Sequence, residues 1–423
     1  MDAPISWAEA RTAMHEAGRQ GARPAVAVPL SETDGTTLAA PLTSRTDVPA
    51  FPASAVDGWA VRGPQPWIPE GRVLAGERPP ALTRPGTCME IATGAMVPEG
   101  TEAIVRLECA HHEHGRITGV ARARRDWREA GEEVSAGEEL LPAGSPVTPA
   151  VIGLAASSGH DTLHVHRPPS AAVLVFGDEL KTAGLPGLGR IRDSLGPSVP
   201  SWLRRLGALP VEGPAHPVAD TLEDHLAALT SALKTADIVC TTGGTMHGPA
   251  DHLHPALREL GAEYLVDTVA VRPGSPMLAA RLPGGKFVCG LPGNPQAALT
   301  ALMTLTEPLI AGLTRRPLPS LRTVPVAEET IGRGDFTHLA AARLDTHGRA
   351  HTLGHAASSM LRGVAAGDGF VVVSPGGVVD AGMHVPFLPL PLYAGEAPVA
   401  VRQEGVPAVP LPDQAHAHST APR

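Results

Sequence analysis

Aromatic residues are scarce in this sequence: Phe, Trp and Tyr together make up 3% of its 423 residues. Hydrophobic residues nevertheless reach 43%, so buried cores must be built mainly from Ala, Val and Leu. A chain of this length predicts about three domains, at roughly 100–200 residues each. The 44 prolines are spread along the chain, which indicates many turns and linkers and no collagen-like tract.

Long apolar runs, paired cysteines and an excess of basic residues are also missing. No run of about 18 apolar residues occurs, so we expect no membrane-spanning helix, and the N-terminal segment lacks the apolar stretch of a secretory signal. The four cysteines form no C-x-x-C pair, which excludes a zinc ribbon or redox motif and fits a reducing compartment, the cytoplasm. The net charge of −9 argues against nucleic-acid binding, although a local site for a small anion is still allowed.

The N-terminal region, residues 1–168, begins with a helix and continues as strands broken by Gly and Pro. Ser6 and Glu9 form a capping-box pattern, which predicts a helix over 6–18. Strands are expected at Val26–Leu30, Ala103–Cys109 and Arg116–Ala121. The histidine-rich segment 111–115 predicts a hairpin turn. Metal binding there is the less favoured alternative, because no second ligand group has a defined spacing.

Strands and helices alternate between residues 169 and 316, which predicts a doubly wound α/β domain with a parallel sheet and helices on both faces. Its strands are expected at Ser170–Phe176, Asp237–Thr242, Tyr264–Val271 and Phe287–Leu291, and its helices at Pro200–Gly207, Ala219–Ala236, His252–Leu260 and Pro295–Leu313. Residues 320–396 return to short strands (Thr323–Val326, Phe336–Arg343, Gly369–Ser374 and His384–Leu388) and predict a small β-barrel. The tail 397–423 is expected to be disordered.

Three loops follow strands of the central domain, and each contains glycine. We call residues 176–179 the first loop, residues 241–245 the second loop and residues 290–295 the third loop. Ligands of an open α/β sheet bind outside the carboxyl ends of its strands. Glycines there let the backbone approach a ligand and let N–H groups face an anion. The candidate substrate-binding residues are Asp178, Gly243, Gly244, Pro292, Gly293 and Asn294.

Acidic residues accompany these loops at Glu179, Asp220 and Asp251. Asp220 and Asp251 could each be the N-cap of a following helix, and Glu179 could be an ordinary surface residue. Carboxylates at strand ends could instead hold Mg²⁺ between the protein and a phosphate, because Mg²⁺ prefers one or two carboxylates together with phosphate oxygens.

Two further candidate segments lie in the N-terminal region. Ser54 and Asp57 belong to a loop that Pro and Gly fix, although an acid followed by glycine is also typical of a plain turn. Thr93 and Gly94 place a hydroxyl beside a glycine in the second segment.

Taken together, these segments resemble the molybdopterin molybdotransferases, the family that includes the gephyrin E domain. Residues 54–60 are similar to S-A-M-D-G-Y-A, residues 93–98 to T-G-A-x-x-P, and residues 177–180 to T-G-D-E-L with its first residue changed to Phe176. Gly243-Gly244 with Asp251 resembles G-G-V-S-V-G and its downstream Asp. Residues 290–295 are identical to G-L-P-G-N-P. The motifs occur in family order, and weaker similarity runs from about residue 6 to 392.

The resemblance implies both an architecture and a reaction. It implies an elongated N-terminal region of two discontinuous subdomains, a central molybdopterin-binding domain, a C-terminal β-barrel, and a homodimer whose active site lies between subunits. The implied reaction inserts molybdate into adenylylated molybdopterin and releases AMP, with Mg²⁺. By position, the catalytic candidates are Asp57, Glu179, Asp220, Asp251 and Arg272, with Ser54, Thr93 and Gly94 at the substrate, and Glu179 and Asp251 are the metal ligands. No membrane or nucleic-acid partner is expected.

The sequence departs from the family where hydrogen-bond donors could hold molybdate. The family motif K-P-G-K-P has Arg272 and Ser275 in place of its two lysines. Met246 and Ala297 stand where the family has hydroxyl side chains, and Leu195 stands where it has a side-chain amide. Each lost charge-assisted bond costs on the order of 1.5–3 kcal/mol, unless Arg272 and His247 act as substitute donors.

A catalytically impaired paralogue that binds molybdopterin or a partner is therefore the alternative function. A synaptic-type scaffold is disfavoured by the short linkers between domains. A dinucleotide-dependent oxidoreductase is disfavoured because no G-x-G-x-x-G follows Ser170–Phe176.

Overall fold

The computed structural model describes residues 3–121, 126–212, 216–246 and 251–392. The tail 397–423, which is expected to be disordered, lies outside these residues. Within the described ranges, no helix combines the length and the apolar character that crossing a membrane requires.

The first helix, Trp7–Gln20, begins at the predicted capping box. Ser6 Oγ accepts a hydrogen bond from the Glu9 amide at 3.2 Å, and the Glu9 carboxylate accepts one from the Ser6 amide at 3.0 Å. The prediction of this helix is therefore confirmed, because each residue satisfies an amide that the helix itself leaves unpaired.

Two sheets with separate cores make up the rest of the N-terminal region. The three-stranded sheet, in the order Val26–Pro29, Thr162–His166 and Thr37–Leu38, packs on the helix Pro149–Ser157. The four-stranded sheet has the order Ile68–Val73, Thr87–Ile91, Gly58–Arg62 and Ala103–Arg106. The remaining short elements are Leu30–Glu32 and Leu107–Cys109, both 3₁₀ turns, and the strands Leu42–Thr43, Ala53–Ser54, Ala110–Glu113, Arg116–Gly119, Trp127–Arg128 and Glu139–Leu141.

The histidine-rich segment is a hairpin turn, as predicted. The strands Ala110–Glu113 and Arg116–Gly119 pair antiparallel. His114 and Gly115 connect them with φ angles of +49° and +70°, which a tight two-residue hairpin requires.

The central sheet has six strands in the order Leu209–Pro210, Ser170–Val175, Ile238–Thr242, Phe287–Leu291, Leu278–Arg281 and Glu263–Asp267. The first four are parallel, and the last two are antiparallel to their neighbours. The expectation of a wholly parallel sheet is therefore wrong at this edge. The predicted strand Tyr264–Val271 is interrupted at Thr268, where φ is +77°. The residues after it, Val269–Arg272, pair with Thr337–Leu344 in the C-terminal sheet.

Helices cover both faces of this sheet, which confirms the doubly wound class. Successive strand residues point to opposite faces, so Cys240 and Cys289 enter one core while Val239 and Val288 enter the other. The first core includes the helices Trp7–Gln20, Leu195–Leu206, Pro295–Ala301 and Glu307–Leu313. A π-helical turn, Leu302–Thr306, joins the last two of these helices. The second core includes the helices Leu222–Thr235 and Leu253–Glu259.

The C-terminal strands are Arg322–Pro325, Thr330–Ile331, Thr337–Leu344, Ala350–Thr352, Gly369–Val373, Val378–Val379 and His384–Pro389, with the short helix Arg362–Ala365. The main sheet has the order Ile5–Ser6, Val269–Arg272, Thr337–Leu344, Gly369–Val373, His384–Pro389 and Arg322–Pro325, and Ala350–Thr352 pairs beside Thr337–Leu344. A parallel bridge between Val326 and Ala350 connects the chain just after Arg322–Pro325 to the side strand Ala350–Thr352. The barrel itself stays a prediction, but strands from all three regions meet in this sheet.

Two glycines let the first helix dock on the central domain. A Cβ added to Gly312 would lie 2.1 Å from the His15 carbonyl oxygen, and one added to Gly18 would lie 2.4 Å from the Leu309 carbonyl oxygen. The helices Trp7–Gln20 and Glu307–Leu313 therefore touch backbone to backbone at their crossing.

Gly312→Ala is expected to destabilise the protein by about 1–3 kcal/mol, because the added methyl group overpacks a contact between two backbones. Gly153→Ala is the matched control, since nothing lies within 4 Å of a Cβ there and alanine favours a helix by about 0.8–1 kcal/mol over glycine. Urea unfolding of both variants measures the difference. Equal stability of the two variants would contradict the crossing described here.

Candidate active site

The three strand-end loops meet at the carboxyl end of the parallel strands. The Phe176 amide donates to the Thr242 carbonyl oxygen at 3.1 Å, and the Gly243 amide donates to the Leu291 carbonyl oxygen at 2.9 Å. A Cβ on Gly293 would lie 3.8 Å from Gly243 Cα. First, second and third loops thus form one continuous surface, as the parallel strand order requires.

The first loop is joined to Asp220 by a hydrogen bond. The Asp178 amide donates to Asp220 Oδ2 at 3.2 Å. Asp220 does not cap the helix that follows it, so that alternative is wrong: Thr221 is the N-cap, and its hydroxyl accepts from the Asp224 amide at 3.1 Å. Asp178 and Glu179 are both exposed at the open side of the loop.

Asp251 is half-buried beside the second loop. The N-cap residue of the helix Leu253–Glu259 is His252, so the interpretation of Asp251 as the N-cap is wrong. A Cβ on Gly244 would lie 3.3 Å from Leu253 Cβ, which shows that the second loop packs directly on the start of this helix. His247, considered as a substitute donor, lies outside the described residues.

The N-terminal candidates form a second cluster. Asp57 Oδ1 accepts hydrogen bonds from the Thr93 amide at 2.7 Å and from its hydroxyl at 3.1 Å. The Gly94 amide donates to the Ser54 carbonyl oxygen at 2.8 Å. Ser54 is buried, and its own hydroxyl donates to the Val56 carbonyl oxygen at 2.7 Å. Ser54 therefore holds the loop in shape, whereas Asp57, Thr93 and Gly94 are exposed.

The third loop leads into a helix whose first amides are already used. The amides of Gln296 and Ala297 donate to the Ser358 carbonyl oxygen at 2.9 and 3.2 Å. Ser358 belongs to the C-terminal region, so these bonds join two regions of the chain. Of the third-loop candidates, Gly293 and Asn294 are exposed and Pro292 is buried.

Arg272 lies in a cleft between the central and C-terminal regions. Its guanidinium carbon is 4.2 Å from the centre of the Phe336 ring, a cation–π contact. The cleft has a volume of about 700 Å³ and includes Arg333, His338 and Ser358 in its lining. Burial lowers the pKa of His338. The sequence did not single out Phe336 or Arg333, because nothing in either segment indicates that they face Arg272.

Three of the five departures from the family pattern at the possible molybdate donors are buried. Leu195 and Ala297 are packed in the interior, and the buried Ser275 hydroxyl donates to the Val269 carbonyl oxygen at 3.0 Å. Met246, in contrast, is 59% exposed next to the second loop. Ser275 therefore braces the turn that follows Arg272, and Leu195 and Ala297 fill space.

Family models cover most of the chain in succession. The MoeA N-terminal region (domain I and II) matches residues 5–159, a probable molybdopterin binding domain matches residues 172–312, and the MoeA C-terminal region (domain IV) matches residues 323–390.

Curated relatives are about one-third identical to this chain over the aligned residues. Proteins named molybdopterin molybdenumtransferase from Nostoc, Synechococcus elongatus and Haemophilus influenzae are each 32% identical, over 68%, 71% and 73% of this chain and 69%, 78% and 79% of their own lengths.

Solved structures share the fold. The molybdopterin biosynthesis moeA protein of Pyrococcus horikoshii superposes with a TM-score of 0.73 at 24% identity, over 92% of this chain and 99% of that one. A molybdenum cofactor biosynthesis protein from Pyrococcus furiosus superposes with a TM-score of 0.56 at 13% identity, over 92% of this chain and 100% of that one.

Proposed function

Because the chain belongs to the molybdopterin molybdenumtransferase family, we propose that it inserts molybdate into adenylylated molybdopterin and releases AMP. One observation carries this proposal. The three glycine-bearing loops meet at one end of the parallel sheet, and Asp178, Glu179 and Asp220 accompany them there. Such a surface offers backbone N–H groups to phosphates and carboxylates to a metal or a water molecule.

In the proposed reaction, water cleaves the phosphoanhydride bond of the adenylylated pterin. The water oxygen bonds to phosphorus, the bridging P–O bond breaks, and AMP leaves, while molybdate binds at the dithiolene sulfurs. Asp220 is suited to orient the water, because its other oxygen is fixed by the Asp178 amide. Asp57 and Thr93 form a paired polar cluster that we assign to the substrate.

We assign Mg²⁺ to the two carboxylates of Glu179 and Asp251; the described residues contain no group of three or more His, Cys, Asp or Glu side chains that could hold a metal, so the remaining ligands would come from the substrate and water. Glu179 is exposed on the first loop and Asp251 is half-buried beside the second loop, and carboxylate oxygens are hard donors of the kind Mg²⁺ prefers. Two protein carboxylates leave coordination positions for phosphate oxygens. When bound, Mg²⁺ would offset the charge that develops on the phosphates.

We further propose a cytoplasmic homodimer with three domains, residues 1–168, 169–316 and 320–396. In this arrangement the cluster of Asp57, Thr93 and Gly94 from one protomer meets the strand-end loops of the other. The N-terminal sheets and the C-terminal strands have cores of their own, which supports the boundaries, whereas the core around the first helix includes residues of all three domains. The sparse, unpaired cysteines support the compartment.

A catalytically impaired paralogue is the alternative, and the relatives do not favour it. The departures at Leu195, Ser275 and Ala297 lie in buried positions with packing roles, while the cleft keeps an exposed cation at Arg272. The test is to mix the protein with adenylylated molybdopterin, Mg²⁺ and graded molybdate. Molybdate-dependent AMP release supports the transferase, and nucleotide binding without AMP release supports the paralogue.

Arg272→Ala is expected to raise the KM for molybdate by about 10-fold to 100-fold, which corresponds to one charge-assisted hydrogen bond of roughly 1.5–3 kcal/mol. The KM for the nucleotide should stay the same. Arg322→Ala is the matched control, since the Arg322 guanidinium carbon also lies over a Phe ring, 4.9 Å from the centre of Phe387, but outside the cleft. Steady-state kinetics in both substrates separate the outcomes, and an unchanged molybdate KM would remove Arg272 from the oxyanion site.

A further inference from the structure

A histidine with unusual surroundings lies beneath the first loop. His225 is fully buried in the helix Leu222–Thr235, and neither of its ring nitrogens has a hydrogen-bond partner among the described residues. Leaving a buried polar group unpaired costs about 1–3 kcal/mol. Leu or Phe would fill the same space without burying an unpaired polar group. The imidazole at this position therefore suggests a role beyond packing.

Three neighbours of His225 belong to segments of the proposed active site, and the carboxylate of Asp224 on its own helix also acts on the ring. Its ring stacks on Phe176, the start of the first loop, with the ring centres 3.7 Å apart and the planes inclined by 16°. It makes an edge-to-face contact with His252, the residue after Asp251, with the ring centres 5.6 Å apart and the planes inclined by 85°. Its Nε2 lies 3.7 Å from Asp220 Oδ1. His225 therefore lies between the three segments that carry Glu179, Asp220 and Asp251.

The Asp220 carboxylate has one oxygen fixed and one facing this histidine. Oδ2 accepts the Asp178 amide at 3.2 Å. Oδ1 is about half an ångström beyond hydrogen-bond reach of His225 Nε2, and catalytic hydrogen bonds are often long in a protein without substrate and tighten when substrate binds. With one hydrogen bond to each oxygen, the carboxylate would keep one orientation, and the second lone pair of Oδ1 would remain to accept from the attacking water.

We propose that His225 is a positioning residue, which holds the Asp220 carboxylate through Nε2 and is itself held in place by the stack on Phe176. Phe176 stands where the family motif T-G-D-E-L has its Thr, so the stack is a feature of this chain's own residues. The inference rests on the proposed function, because its effect on turnover is an effect on AMP release.

Burial favours the neutral imidazole and lowers the pKa of His225. A neutral imidazole carries one N–H and one bare nitrogen. The carboxylate of Asp220 favours the tautomer with the proton on Nε2, where it can be donated to Oδ1.

The test compares His225→Phe, which keeps the ring stack without nitrogen, with His225→Gln, which keeps an N–H donor. In the Phe variant, kcat for AMP release should fall about tenfold or more, since displacing a catalytic group by about 1 Å can cost a hundredfold. The KM for the nucleotide and the melting temperature should change little. In the Gln variant, kcat should stay within about threefold of the wild-type value. A wild-type kcat in the Phe variant, or an equal loss in both variants, overturns the proposal.

A double-mutant cycle and an exchange measurement complete the test. In an Asp220→Asn background, His225→Phe should have no further effect on kcat, because the carboxylate it orients is gone. The hydrogen exchange of the Asp178 amide, followed by NMR, should be faster in His225→Phe than in the wild type. The exchange measurement needs no turnover. Unchanged exchange of the Asp178 amide therefore overturns the positioning role of His225 even if the wild-type protein releases no AMP. A lack of AMP release by the wild-type protein would overturn only the proposed function.

Discussion

Asp251→Asn is expected to slow AMP release by about a hundredfold or more while leaving nucleotide binding nearly intact. The substitution keeps the shape of the side chain and removes its charge. Because Asp251 is one of the two carboxylates that we assign to Mg²⁺, the variant loses a share of metal-based stabilisation, which is worth several kcal/mol in a transition state. Single-turnover AMP release at saturating Mg²⁺ gives the rate directly.

The control for this experiment is Asp267→Asn. Asp267 is an exposed carboxylate at the end of the antiparallel edge strand Glu263–Asp267, so its loss should leave the rate within about twofold. Glu179→Gln should behave like Asp251→Asn, and higher Mg²⁺ should rescue part of either loss. Full activity of Asp251→Asn would remove this residue from the metal site and from catalysis.

Arg11→Met is expected to cause the largest loss of stability, about 3 kcal/mol at neutral pH. Arg11 is buried in the first helix, and its guanidinium donates to the Glu307 carboxylate at 3.0 Å and to the carbonyl oxygens of Met303 and Pro319 at 2.6 and 3.0 Å. Methionine replaces the volume but leaves a buried carboxylate without this partner, and breaking a buried pair costs about 3–5 kcal/mol. Arg316 remains near Glu307 and still stabilises its carboxylate. We therefore expect the loss of unfolding free energy to lie at the lower end of this range.

The loss should depend on pH with a definite sign. Burial raises the pKa of Glu307 in the folded protein, against the opposing effects of Arg11 and Arg316. A carboxyl whose pKa is raised on folding favours the folded state below its unfolded pKa of about 4.3, and this contribution is lost as the pH rises through the folded pKa. Removing Arg11 raises that pKa further, so the variant should lose less stability relative to wild type at pH 5 than at pH 8.

The control is Arg11→Met combined with Glu307→Gln, in which no carboxylate is left unpaired. Chemical unfolding at pH 5, 6.5 and 8 should show a pH-dependent deficit in the single variant and a smaller, flat deficit in the double variant. A deficit that is the same at all three pH values would show that the Glu307 carboxylate does not govern the stability of this contact.

The sequence predicted the parts of the fold that depend on interactions between residues close together in the chain or on the general geometry of parallel sheets. The Ser6–Glu9 capping box begins a helix at the expected place because both partners lie within one turn. The three strand-end loops meet because parallel neighbouring strands end at the same edge of a sheet. Their glycines and their order along the chain identify them from the sequence alone.

The remaining features depend on contacts between distant segments. The strand predicted over Tyr264–Val271 ends at Thr268 because Val269–Arg272 pairs with Ile5–Ser6 and Thr337–Leu344 in another sheet. The hydrophobic periodicity within the segment does not indicate this pairing. Phe336 beneath Arg272 could not be predicted for the same reason. The N-cap alternatives for Asp220 and Asp251 failed because each helix begins one residue later than these positions would require.

The central claim is that this surface transfers molybdenum to a pterin, and the most direct measurement is the molybdenum bound to the pterin product. The wild-type protein would be incubated with adenylylated molybdopterin, Mg²⁺ and increasing molybdate, and the molybdenum in the isolated pterin would be counted against the AMP released. We predict that both rise together with molybdate, in equal amounts. Tight nucleotide binding with neither AMP nor metallated pterin would contradict the account and identify the protein as an impaired binding paralogue.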